Sequence, residues 1–179
     1  MENNENKKKD KSKWLILLLL LITLVAVCVT IWALFLRGSG PALAPDYAPQ
    51  ETEVHAEPIP DDSDEKLEAP DGGGSVSLSY SNKVTIDLSD EAALLYFANP
   101  GKSTKDMLLQ ISIQDTVILQ SGILNPGQQV KKLDLMEGAE KKLSTGGYEG
   151  KFIIFYYDQT SGEKAMVNTE IPITISVVG

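Results

Sequence analysis

The polar and apolar positions of this chain fall into three regimes. From Trp14 to Leu36 the run WLILLLLLITLVAVCVTIWALFL carries not one charge. As a helix rising about 1.5 Å per residue it reaches roughly 33 Å, enough to cross a hydrocarbon core of about 30 Å. Its two polar side chains, Thr23 and Thr30, can bond back to carbonyls of their own helix. Trp14 and Trp32 lie near the two ends, where indole rings favour a membrane interface. A cleaved signal has a shorter apolar core of about 7–15 residues, so this run is predicted to be a retained transmembrane helix over 14–36.

From Ser75 to the end the apolar period is two, and turn residues recur every eight to twelve positions or so, the pattern of a sandwich or barrel. Val84, Ile86 and Leu88 alternate, Ala92 to Phe97 is apolar on both faces, and Met107, Leu109, Ile111 and Ile113 alternate with polar residues. That last run predicts a strand buried on one side only. A tight turn is expected at Asp115-Thr116, with Val117 to Gln120 ending at Ser121-Gly122. Val130 to Leu135 and Lys151 to Asp158 follow, then Ile171, Ile173, Ile175 and Val177 on alternate positions. Pro172 can donate no ladder hydrogen bond and predicts an edge or a switch of pairing there. The fold class is all-β, with seven to nine strands in 75–179.

Between these regimes, residues 37–74 hold six prolines, a Gly72-Gly73-Gly74 close and many acids with Lys66 as the one lysine. Such a segment cannot bury enough apolar surface to offset chain entropy. It is predicted to be a disordered spacer, its prolines and like charges keeping it extended.

Charge orients the chain. Lys7, Lys8, Lys9, Lys11 and Lys13 precede the apolar run and Arg37 follows it, which predicts a cytoplasmic tail over 1–13 and everything after the helix outside. The net charge of -9 argues against nucleic acid, which needs a clustered basic surface. The single cysteine, Cys28, lies in the apolar run, so the outer domain can form no internal disulfide. With no Asn-x-Ser/Thr acceptor either, the chain reads as bacterial.

Residues 75–179 contain no histidine and no cysteine, so no base stands ready to activate a nucleophile. Ser103 and Lys105 share a polar loop, and Asp87, Asp90, Glu91, Asp115 and Asp158 all fall in turn contexts where acids are routine. The acidic run Asp61, Asp62, Asp64 and Glu65 lacks the glycine turn and distal glutamate of a calcium loop. His55 is the only histidine in the chain. No catalytic, cofactor-binding or metal site is expected, no cofactor, and no small-molecule substrate.

Leu143, Gly146 and Tyr148, entering a long apolar strand, resemble the tyrosine corner of immunoglobulin-like and fibronectin-like domains. Asn99-Pro100, Ser121-Gly122 followed by Pro126-Gly127, and Tyr156-Tyr157-Asp158 are similar to features of small immunoglobulin-like domains of bacterial surface proteins. The resemblance spans roughly 94–178 and implies an immunoglobulin-like β-sandwich. It implies a structural role for Leu143, Gly146 and Tyr148, and no activity, because fold does not imply function. The expectation is a single-pass, membrane-anchored, non-enzymatic module that contacts another surface or envelope protein. An accessory subunit of a membrane-spanning secretion or conjugation machine is the alternative, with a carbohydrate-binding or enzymatic domain behind both.

Overall fold

In this computed structural model the structure describes residues 3–35 and 43–179, with α1 side chains described at 13, 14 and 16–30. Two units are distinct, Met1–Pro41 and Ala42–Gly179. The first contains the helix α1 (Asn3–Phe35). Its two threonines bond as their position in an apolar helix requires, Thr23 Oγ1 donating to the Leu20 carbonyl at 2.9 Å and Thr30 Oγ1 to that of Ala26 at 2.8 Å. Among the described residues no helix is long and apolar enough to cross a membrane. The lysine-rich tail before Lys13, Trp32 and the end of the apolar run at Leu36 lie outside the described side chains.

The second unit is built on one curled sheet of nine strands: β1 (Glu57–Pro58), β2 (Ser79–Tyr80), β3 (Lys83–Asp87), β4 (Ala92–Asn99), β5 (Lys105–Ile113), β6 (Thr116–Leu124), β7 (Gln128–Asp134), β8 (Gly146–Asp158) and β9 (Lys164–Val178). The order is β1-β7-β4-β3-β9-β8-β5-β6, with β2 pairing onto β4. β3 joins the two halves, antiparallel to β4 and parallel to β9. Along a flat sheet β4 and β8 would stand about 14 Å apart, three strand spacings. Instead the rings of Phe97 and Phe152 lie 6.0 Å apart, edge to face. The sheet is therefore folded over its own apolar face, where Ile86, Phe97, Leu109, Ile111, Phe152, Ile154 and Ile175 are fully enclosed.

Two expectations are corrected here. The acidic segment is not a free spacer, at least over 43–74; 37–42 lie outside the described residues. Ala44 N–H donates to Gln120 Oε1 at 3.1 Å, Tyr157 Oη to the Pro45 carbonyl at 2.9 Å, and Ala48 N–H to the Gly162 carbonyl at 2.7 Å. Glu53 N–H then donates to the Ile123 carbonyl (2.9 Å), and Ile123 N–H to that of Glu51 (3.0 Å). Five residues on, Pro58 and Glu57 pair with Gln128 and Gln129 of β7. Without β1, which belongs to this segment, β6 and β7 would end the sheet, and unpaired strand edges are a liability. The segment straps both. Its order comes from backbone pairing, so it needs no apolar period of its own.

The second correction is β5. Gln110 and Ser112, expected on a solvent face, are 3% and 2% exposed. The outer face carries its own small apolar cluster, Leu108, Ile123 and Tyr157, with Ala48 of the strap and Phe155 packed on it. Gln110 Nε2 donates to Gln120 Oε1 at 2.7 Å. β6 also runs on through Ser121-Gly122 rather than ending there, and the turn before it sits one residue earlier, at Gln114 and Asp115 (φ +48° and +62°).

Tyr157 reports on the strap. Burial, with the Asp46 carboxylate a smaller cause, pushes its phenol up from 10.0 to about 12. The folded state favours the neutral phenol, so its stabilisation is complete below pH 10 and is lost as pH climbs from about 10 to about 12. Denaturant midpoints across that window should fall more steeply for the native chain than for Tyr157→Phe. Equal slopes would detach Tyr157 from this account.

Candidate contact surface

The residues singled out from the sequence are placed as follows. Tyr148 Oη donates to the Ser144 carbonyl at 2.9 Å and accepts from the Ser144 N–H at 3.1 Å. This loop closes four residues upstream of the ring. Leu143 packs against the core, and Gly146 has φ of +149°, a backbone that L side chains rarely adopt. The three together shape the entry to β8.

Ser103 and Lys105 are not brought together. Ser103 is fully buried, its Oγ accepting from Ser77 N–H at 2.9 Å and donating to the Ser77 carbonyl at 3.2 Å. Lys105 Nζ is drawn to Asp158 Oδ2 at 2.7 Å. That hydrogen bond, with the Ser161 and Thr160 N–H groups, holds the Asp158 carboxyl well below the usual carboxylate range. Asp87 Oδ1 accepts from Ser89 N–H at 2.9 Å and from Asp90 N–H at 3.3 Å, a turn role. Asp62 accepts from Gly101 N–H, and Lys66 Nζ donates to the carbonyls of Gly101 and Ser103 at 2.7 and 3.0 Å. His55 Nε2 meets Asp134 Oδ2 at 3.0 Å and joins the strap to the end of β7. Among the described residues no group of three acidic, histidine or cysteine side chains is placed to hold a metal ion.

What the sheet leaves open lies on β9. This strand is 15 residues long, but β3 covers it only from Thr174 to Val178. Residues 168–173 pair with β8 alone, 165–167 fall in the register shift beside it, and among the described residues no backbone hydrogen bond reaches 165–173 from the other side. The expected behaviour of Pro172 follows from this, since it sits in the uncovered part, two residues before β3 begins. At the near end the ladder to β8 shifts register, between Phe155 and Tyr157, and Met166 and Val167 stand out at 104% and 69% exposure.

A groove of about 440 Å³ runs beside them, with the glycines 72–74 and Val76 opposite Ala165, Met166 and Val167. Tyr156 also lines the groove, with its Oη 2.6 Å from Thr169 Oγ1. Burial raises that phenol, against the Thr169 hydrogen bond. The Lys105–Asp158 pair is part of the same wall. An unpaired strand edge beside exposed apolar side chains offers a partner main-chain hydrogen bonds and apolar area at once. The sequence pattern missed this surface because Met166 and Val167 read as ordinary strand residues. Only Pro172 signalled that one edge of β9 stays bare.

No protein family and no curated protein sequence matches this chain. Among solved structures it is similar to the major subunit of aggregative adherence fimbriae type I from Escherichia coli, at 10% identity and a TM-score of 0.24. That match covers 63% of this chain and 100% of the fimbrial one. At such a TM-score it carries no functional argument.

Proposed function

We propose that the chain is a single-pass membrane protein whose outer unit is a non-catalytic contact module, binding another protein of a bacterial envelope through the bare edge of β9. The observation that carries this reading is the uncovered backbone at 165–173 beside fully exposed Met166. Edges of this length are normally covered, bulged or charged. Here a bulge, Pro172 and Glu170 limit indiscriminate pairing while the apolar end stays open.

The finer fold reading is an immunoglobulin-like β-sandwich. Supporting it are the two halves β1-β7-β4 and β9-β8-β5-β6 joined through β3, the ring contact between β4 and β8, and the Tyr148–Ser144 closure. The anchor reading rests on the charge-free run Trp14 to Leu36 and the lysines before it.

Substituting both Met166→Lys and Val167→Lys in the full chain tests the contact. Both side chains are exposed, so folding stability should shift by no more than about 0.5 kcal/mol. Crosslinking and co-isolation from intact cells should lose the partner at least ten-fold. Unchanged recovery with the doubly substituted chain would remove the β9 edge from the proposal. If the alternative membrane-machine reading held, scrambling Trp14 to Leu36 at constant hydrophobicity would abolish the complex and the lysines would not.

A further inference from the structure

On the outer face of β5, β8 and β9, away from the enclosed core, a second cleft of about 440 Å³ opens beside the Gln114–Asp115 turn. Ser112, 2% exposed, lines it, and its Oγ has no hydrogen-bond partner among the described residues. A buried hydroxyl left without a partner is a cost that well-packed strands avoid. Ser112 stands opposite Lys151 of β8, and Lys151 opposite Pro172 of β9, so the three form one row across the face.

The charges around this row do not balance. Lys151 Nζ is held by Glu170 at 3.0 Å and lies 3.7 Å from Asp115. The Glu170 hydrogen bond is the main reason its ammonium is held above the usual lysine value. Glu149, the third carboxylate of the cleft, makes no ion pair among the described residues. Three carboxylates against one ammonium leave a net charge of about -2 at neutral pH. Glu149 is two residues from Lys151 on the same strand face, so an unpaired carboxylate and an unpartnered hydroxyl serve one cleft. The Pro172 ring and the methylene stem of Lys151 supply apolar wall beside them.

We propose that this cleft is a binding site for a primary ammonium on an alkyl chain, its nitrogen held between the Glu149 carboxylate and Ser112 Oγ and its chain against Pro172. The site shares Glu170 and Pro172 with the β9 edge but does not depend on that reading. A lysine side chain and a small free amine share this chemistry, and the probes separate them.

The test is titration of the isotope-labelled full chain, followed by amide shifts, with Nα-acetyl-lysine methylamide, n-butylammonium and the uncharged Nα-acetyl-norleucine methylamide. Saturable shifts at Ser112, Glu149, Gly150 and Lys151 with either ammonium, and none with norleucine, are expected. A preference for the lysine derivative assigns the ligand to a peptide side chain; equal binding of butylammonium assigns it to free amines. Ser112→Ala and Glu149→Gln should each weaken binding at least ten-fold. Thermal midpoints should not fall, because Ser112→Ala removes an unsatisfied polar group. Failure of both ammonium probes to bind, equal shifts with norleucine, or full binding by both variants would overturn the assignment.

Discussion

Replacing Phe152 by alanine is expected to lower the unfolding free energy by about 3–5 kcal/mol, close to the whole stability of a marginal domain. Phe152 is fully enclosed on β8. Its ring meets Phe97 of β4 at 6.0 Å and Tyr80 of β2 at 6.4 Å, both edge to face. Those contacts cross between the two halves of the folded sheet, so the substitution opens a cavity between them. Such aromatic pairs add about 0.5–1.5 kcal/mol beyond their buried area. Denaturant unfolding of the full chain measures the loss. A change under about 1 kcal/mol would mean that the halves are not held through this ring.

Gly122→Ala is the second large effect, and it reads the strap rather than the core. A Cβ at Gly122 would lie 2.6 Å from Glu53 N and 2.7 Å from the Thr52 carbonyl carbon, backbone atoms that cannot step aside as a side chain can. Gly122 N–H also donates to the nearly buried Glu53 carboxylate, at 2.7 Å, and Glu53 accepts from His55 N–H at 2.9 Å with its other oxygen. Overpacking costs about 1–3 kcal/mol and each hydrogen bond lost about 1 more. The expected destabilisation is about 2–4 kcal/mol in total. Amide exchange should show where it falls: Glu53 and Ile123 lose protection while the β5–β8 ladder keeps it. Protection unchanged at Glu53 would show that the strap had never depended on this close approach.

The strands β3 and β5 and the end of β9 are legible because their apolar period of two is the direct image of one enclosed sheet face, and β4, β7 and β8 because their apolar runs are bounded by turn residues. Tyr148 was legible because a tyrosine that closes on its own upstream backbone needs only the local chain Leu143 to Tyr148. The strap was not legible. Glu51, Glu53, Glu57 and Pro58 attach through backbone groups and one carboxylate, and such contacts leave no hydrophobic signature. Their composition instead matches that of disordered linkers. On β5, Gln110 and Ser112 look solvent-facing, whereas Gln110 is held by Gln120 beside the small cluster around Leu108 and Tyr157 and Ser112 stands opposite Lys151 of β8. The Ser121-Gly122 pair reads as a stop in composition, whereas Gly122 is small because the strap crosses there.

Of the contact surface, Pro172 was the one residue whose position in β9 could be argued beforehand. The bareness of 165–173 is a property of where β3 stops, and no local pattern in β9 encodes that.

The central claim is that the outer unit meets its partner along this edge. A photoreactive residue placed at Val167 of the full chain in intact cells tests it most directly, with Glu137, exposed in the turn after β7, as the control position. A discrete adduct with one partner from position 167, and none from position 137, is the predicted result. No adduct from position 167, or the same adduct from both positions, would contradict it.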